Sequence, residues 1–201
     1  MTTIEYYFTL NSPWAYLGSA RFMAMTKAAN ATVVAKPAKY GPIFAQTGGL
    51  PLAKRSPHRQ AYRMMELARW RDHLGIPIVL QPKGFPSDEV AATRLVIAAA
   101  QQGRDVLPFA RERGGNLWEL EKTLSDPADI AAAADRAGLD LAAVRAAALA
   151  DAELDAIWEK NTEDGLARGV FGAPAYVLPS GEFFWGQDRL EFLERALRAK
   201  A

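Results

Sequence analysis

The chain has 201 residues, half of them hydrophobic and 23% charged, with 24 basic and 23 acidic side chains for a net charge of +1. That length and composition suit one globular domain, or one domain carrying a large insertion, and the balanced charge argues against nucleic acid, whose binders concentrate basic charge. With no cysteine and only two histidines, His58 and His73, disulfides, thiolate nucleophiles and Cys- or His-based metal sites are excluded.

The opening residues, Met1-Thr2-Thr3-Ile4-Glu5-Tyr6-Tyr7-Phe8, have no basic segment followed by an apolar one. No apolar run approaches the length of a membrane span, so the expectation is a cytoplasmic protein with no membrane contact and no metal. Residues 3–9 are β-branched and aromatic and predict a buried strand. Ser12 and Pro13 read as the N-cap and first position of a helix running to about Ala29, since a first-turn residue has no use for the N–H that proline lacks. Asn30 ends it, and residues 31–36 predict a second strand. Strand, helix, strand in this order implies a right-handed unit with parallel strands.

Gly41-Pro42 and Thr47-Gly48-Gly49-Leu50-Pro51 are loop signals. A helix is expected from Ser56 to Leu74, a short apolar stretch at 76–80, a loop at 82–86, and a helix from Ser87 to Ala100 with Ser87 as its N-cap. Alanine-rich helices are expected at about 104–122, 127–137, 140–149 and 151–168. Residues 175–178 and 183–185 flank the turn signal Pro179-Ser180-Gly181-Glu182 and predict a hairpin. A final amphipathic helix opens at Gly186-Gln187-Asp188-Arg189 and sets Leu190, Leu193 and Leu197 on one face. The expected architecture is α/β, βαβ then ββα, with 1–42 and 169–201 forming one domain and 43–168 an inserted helical domain.

Three segments carry candidate chemistry. At Ser12-Pro13-Trp14-Ala15, unpaired helix-start amides and the helix dipole favour negative charge; the hydroxyl either only caps the helix or also donates to an anion. No histidine base is evident for it, which argues against a hydrolase triad. In Gly169-Val170-Phe171-Gly172-Ala173-Pro174, a proline ahead of a buried strand is either a cis turn that frees the backbone of Ala173 for an extended peptide, or a plain loop. In Gly186-Gln187-Asp188-Arg189, Asp188 either caps the last helix or receives the charged end of an amino-acid-like ligand. A βαβ…ββα skeleton brings all three to one edge of the sheet.

Residues 12–18 (Ser-Pro-Trp-Ala-Tyr-Leu-Gly), 169–174 and 184–192 (Phe-Trp-Gly-Gln-Asp-Arg-Leu-Glu-Phe) resemble the signature segments of the 2-hydroxychromene-2-carboxylate isomerases. Arg69-Trp70, Trp118 through Asp126 and Asn161-Thr162-Glu163 are also similar, so the resemblance spans nearly the whole chain. Kappa-class glutathione transferases and disulfide oxidoreductases are more distant relatives. The resemblance implies a homodimeric thioredoxin-like fold with an inserted helical domain and glutathione as cofactor. It also implies isomerisation between a hydroxychromene carboxylate and a trans-benzylidenepyruvate in aromatic catabolism.

By the same resemblance Ser12 is the catalytic residue and hydrogen-bonds the glutathione sulfur beside Pro13. Ala173 and Pro174 hold the tripeptide backbone, and Gly186, Gln187 and Asp188 its γ-glutamyl end. Phe44, Lys54 and Phe85 are expected on a small aromatic carboxylate substrate. The basic residues Lys54, Arg55, Arg59 and Arg63 offer either a carboxylate contact or a solvated helix face. Two segments depart from the family pattern: Thr47-Gly48-Gly49 stands for Thr-Gly-Asn, and Phe85-Pro86-Ser87-Asp88 for Phe-Pro-x-Asn. The rivals are a kappa-type glutathione transferase or peroxidase, and a non-catalytic thioredoxin-fold module that binds peptides.

Overall fold

The computed structural model describes residues 2–199; positions 1, 200 and 201, which bound the first expected domain, lie outside the described residues. Strand β1 (Thr3–Phe8) ends in three consecutive buried aromatics, Tyr6, Tyr7 and Phe8, as a strand covered on both faces must. Helix α1 (Pro13–Ala28) returns the chain to β2 (Thr32–Pro37), which pairs with β1 in parallel from Thr3 opposite Thr32 to Phe8 opposite Pro37. Asn30 takes the left-handed conformation between them (φ 48°), which asparagine tolerates better than most residues.

The far end of the sequence completes the sheet. Strand β3 (Ala175–Val177) lies antiparallel to β1, and β4 (Phe183–Trp185) antiparallel to β3, giving the order β2-β1-β3-β4. This is the expected thioredoxin-like arrangement, with a sheet centre built from strands at opposite ends of the sequence. Between them run α2 (Tyr40–Thr47), α3 (Pro57–Leu74), α4 (Val90–Gln101), α5 (Leu107–Trp118), α6 (Pro127–Arg136), α7 (Leu141–Ala146) and α8 (Asp151–Ala167). Helix α9 (Leu190–Arg198) follows the hairpin and buries Leu190, Leu193 and Leu197 as its periodicity predicts.

One hydrophobic core runs from the sheet into the helices. On one face of the sheet Tyr6 stacks between Phe8 (4.5 Å) and Tyr176 (5.3 Å), with Phe22 of α1 tilted against it. The same core continues through Leu95 and Val96 of α4 to Trp118, Ile130 and Leu154. Each such side chain contributes roughly 1.5–3 kcal/mol by leaving water, so sheet and helices stabilise one another. Tyr7, Ile43, Val170 and Val177 fill a smaller cluster. Among the described residues no helix is long and apolar enough to cross a membrane, and no group of His, Asp and Glu is arranged to hold a metal ion.

Two expectations need correction. Gly41-Pro42 is not a loop but lies in the first turn of α2, where proline's missing N–H costs nothing; the helix closes at Gly48, left-handed at φ 76°. Ser87 does not cap α4, which starts at Val90 with Glu89 at the N-cap position. The Ser87 hydroxyl instead accepts from the amide of Leu124 at 2.7 Å, so a tertiary contact takes the group that local pattern assigned to the helix.

Candidate active site

Chain direction places the start of α1 at the end of β1, and Ser12 is its N-cap (φ −81°, ψ 118°). The hydroxyl is buried, accepts from the Ala15 amide at 3.2 Å and reaches the Ala173 carbonyl, as donor, at 3.4 Å. Both alternatives at Ser12 are therefore open in one geometry: it caps the helix, and it faces the proline loop. Pro13 occupies the first helical position and is buried, and the first turn holds no acidic side chain. The positive end of the helix thus has no acid of its own helix against it. Neither histidine serves Ser12: both are exposed on α3, and His73 packs edge-on against Trp70.

The Ala173–Pro174 peptide bond is cis. Pro174 accepts from the Gly186 amide at 2.9 Å, while the partly exposed amide of Ala173 has no partner among the described residues. Gly172 is flat against the indole of Trp185, where a Cβ would collide, and its carbonyl accepts from the Tyr40 hydroxyl at 3.4 Å. Helix α2 is thereby tied to the proline loop.

Gly186 adopts φ 99°, ψ 153°, a region open to glycine alone, and turns the chain from β4 into the 3-10 turn Gln187–Arg189. Gln187 is buried beneath α1; its side-chain oxygen and its carbonyl both accept from Arg21 of α1, the latter at 3.1 Å. Asp188 is more open and pairs with the neighbouring Arg189 at 2.8 Å. The three candidate segments thus meet through Ser12–Ala173, Pro174–Gly186 and the packing of Gln187 on Gly18.

That last contact has no slack. A Cβ on Gly18 would lie 2.8 Å from the Gln187 Cβ and 3.5 Å from the Tyr176 hydroxyl. Gly18→Ala gains up to about 1 kcal/mol of helix propensity but overpacks by about 1–3 kcal/mol. The variant is expected to melt earlier and to bind a ligand of the Gln187–Asp188 turn more weakly, as thermal denaturation and titration would measure; unchanged values in both would show that the turn moves freely.

Two residues at the site escaped the sequence reading. Glu89 reaches back from the start of α4 to the loop before Ser12, accepting from the Thr9 hydroxyl at 2.6 Å, the Leu10 amide at 2.7 Å and the Asn11 amide at 3.3 Å. Burial pushes its pKa above the ordinary carboxylate range, and these donors pull it partly back. Asn11 exchanges two hydrogen bonds with the backbone of Ser87, both 2.9 Å. No local pattern announces either contact, because the partners lie 76 to 80 positions apart.

The expected substrate residues lie on the helical side. Phe44 of α2 packs on Tyr40 (5.9 Å) with the guanidinium of Arg55 over its ring. Phe85 tilts against Trp118 at 5.0 Å, two residues before the Ser87–Asn11 clamp. Lys54 stands exposed in the 3-10 turn Leu52–Lys54, and no contact joins it to Ser12 among the described residues. The departure at Gly49 has a packing reason, since a Cβ there would sit 2.5 Å from the Phe44 ring.

The chain is similar to several known proteins in sequence and fold. The sequence profile of the DSBA-like thioredoxin domain matches residues 3–198. Human glutathione S-transferase kappa 1 is 26% identical over 98% of this chain and 92% of its own length. The 2-hydroxychromene-2-carboxylate isomerase of Sphingobium xenophagum is 25% identical over 97% of each chain. Among solved structures, a 2-hydroxychromene-2-carboxylate isomerase superimposes with a TM-score of 0.75 at 23% identity, covering 98% of this chain and 95% of the other. A cytosolic disulfide reductase of Pseudomonas aeruginosa, solved with GSH, has a TM-score of 0.67 at 17% identity over 98% and 99% of the chains.

Proposed function

The chain belongs to the DSBA-like thioredoxin domain family, and from that premise we propose that it is a glutathione-dependent isomerase acting on an aromatic carboxylate, with Ser12 stabilising the cofactor sulfur. The observation that carries this is the position of the Ser12 hydroxyl, at a helix N-terminus with no acidic side chain in its first turn and within 3.4 Å of the Ala173 carbonyl in the proline loop. In a chain without cysteine, such a site has no thiolate of its own to stabilise.

The residues present fit the tripeptide. The free amide of Ala173, in the loop that leads into β3, offers an extended peptide a backbone donor. Asp188 offers its carboxylate to an ammonium, and Gly186 and Gln187 hold the turn that presents it. Bound glutathione supplies a nucleophile that can add to a conjugated substrate and leave again after rotation or ring opening. The chain's own part is electrostatic. The α1 dipole and the amides of its first turn favour the deprotonated sulfur, as they do for cysteines at helix starts. The Ser12 hydroxyl would donate a hydrogen bond to the same atom, and Pro13 holds the first turn of the helix behind it. Phe44, Lys54 and Phe85 are proposed to face the substrate, with 43–168 acting as the inserted unit that encloses it. A cytoplasmic homodimer engaged in aromatic catabolism goes with this reading.

A kappa-type transferase or peroxidase is the second reading, favoured by the near-equal identity to human glutathione S-transferase kappa 1. The first test is calorimetric titration with reduced glutathione. Binding near one per chain is expected, followed by turnover of the hydroxychromene carboxylate. Turnover of a generic electrophile such as chlorodinitrobenzene but not of the chromene would move the assignment to transfer. No binding at millimolar glutathione would leave a non-catalytic peptide-binding module.

A further inference from the structure

The arginines on the helical side of the site are not equivalent. Arg59 is exposed, as a solvated helix face requires. Arg63, one turn further along α3, is half-buried with its guanidinium over two rings, 5.7 Å from the centre of Phe85 and 5.8 Å from that of Trp118. No carboxylate pairs with it among the described residues, and its one polar contact is a long approach to Met64 Sδ at 3.9 Å. Burial and the nearby Arg55 cation depress its pKa to about 10, so it is still charged at neutral pH. A charge taken partly out of water with no counter-ion is costly, and folded chains seldom hold one without a use for it.

Its place gives it one. Phe85 lies two residues from Ser87, and two residues span at most about 7 Å. Ser87 is hydrogen-bonded to Asn11, the neighbour of Ser12. The cation and its two rings therefore sit on the segment that is clamped to the residue before Ser12. Arg55, over the Phe44 ring, adds a second positive charge on the same side.

We propose that Arg63, seated over Phe85 and Trp118, is the specificity residue that receives the carboxylate of a conjugated aromatic acid whose ring lies beside Phe85. The assignment rests on the isomerase reading for its substrate class. A guanidinium suits the task because its fork matches a carboxylate with two donors while its flat face stays on the aromatic rings.

The test is calorimetric binding of trans-cinnamate and of uncharged trans-cinnamamide, with and without glutathione, to the wild type, Arg63→Gln and the exposed control Arg59→Gln. Cinnamate is expected to bind the wild type and Arg59→Gln alike and to weaken by roughly tenfold to a hundredfold in Arg63→Gln, the size of a lost charge-assisted hydrogen bond. Cinnamamide should bind weakly and equally to all three. Arg63→Gln should keep its glutathione affinity and melt close to the wild type, because relief of a half-buried charge without a counter-ion offsets the lost contact with the two rings. Cinnamate binding that is absent from the wild type, equal in Arg63→Gln, or matched by the amide would overturn the assignment. So would an Arg63→Gln chain that melts early and loses glutathione too, since Arg63 would then be serving the fold. The arm without glutathione separates the two ideas: cinnamate bound through Arg63 in a protein that ignores glutathione would sink the cofactor reading and leave this one standing.

Discussion

Ser12→Ala is expected to lower glutathione-dependent turnover by roughly tenfold to a thousandfold, the range for losing one donor to a developing or resident anion. The same substitution removes the helix cap that the hydroxyl provides to the Ala15 amide, which costs about 1 kcal/mol and lowers the melting temperature by about 2–4 °C in a chain of this size. The two effects can be separated. Ser12→Asp keeps the cap, since aspartate accepts as well as serine, but sets a negative charge where the sulfur would lie. It should turn over no faster than Ser12→Ala, and its charge against the Ala173 carbonyl offsets part of the stability that the kept cap returns. Steady-state rates with the chromene carboxylate and thermal melts decide the matter. If Ser12→Ala turns over normally, the hydroxyl is a cap only, and the proposed chemistry loses its donor.

The largest stability effect is expected at Glu89. Its carboxylate is the acceptor for the Thr9 hydroxyl and the Leu10 and Asn11 amides, in the loop that presents Ser12. Glu89→Ala leaves the Thr9 hydroxyl and the Leu10 amide without this acceptor, and the Asn11 amide with the Thr9 hydroxyl alone. Hydrogen bonds to a charged group are worth about 1.5–3 kcal/mol each but are not additive here, so about 3 kcal/mol is a reasonable total. That corresponds to a fall of about 6–12 °C in melting temperature. Turnover should fall with it, because the loop also carries the Asn11–Ser87 clamp. Because burial holds the folded pKa above that of the unfolded chain, the sign with pH is opposite to that of a salt-bridged carboxylate. The group's contribution is greatest below its unfolded pKa and declines as pH rises through the folded value. In Glu89→Ala that segment of the stability–pH curve should flatten. An unchanged melting temperature would mean that the loop holds its shape without the carboxylate.

Much of this fold is legible in the sequence because its ends are built from local rules. The aromatic run of β1, the Ser12-Pro13 helix start, the hairpin turn and the leucine spacing of α9 each carry their own signal. Where the sequence misleads, a local signal is real but outranked. Gly41-Pro42 looks like a break, yet it satisfies the same first-turn rule that Pro13 does, and Ile43 anchors the helix in the core. Ser87 has the chemistry of a cap, yet Leu124 claims its hydroxyl. The site divides in the same way. Ser12 and the Ala173–Pro174 loop follow from motif and order, and the contact between them spans 161 positions. Glu89, Asn11 and Arg21 bond across comparable separations, and nothing near them in sequence names their partners. Arg63 is hidden for another reason: on a polar helix an arginine reads as solvated until the rings beneath it are seen.

The strand order β2-β1-β3-β4 also bears on how the chain emerges from the ribosome. β1 and β2 can pair early, but the other edge of β1 waits for β3, whose residues follow the whole helical segment. At a synthesis rate of about 5–20 residues per second, that delay is on the order of ten seconds. Throughout it a strand ending in Tyr6, Tyr7 and Phe8 presents an unpaired apolar edge to its surroundings. Nascent chains halted within the helical segment should therefore be sticky and good clients for chaperones, and none of them can form the Ser12–Ala173 contact, which waits for residue 173.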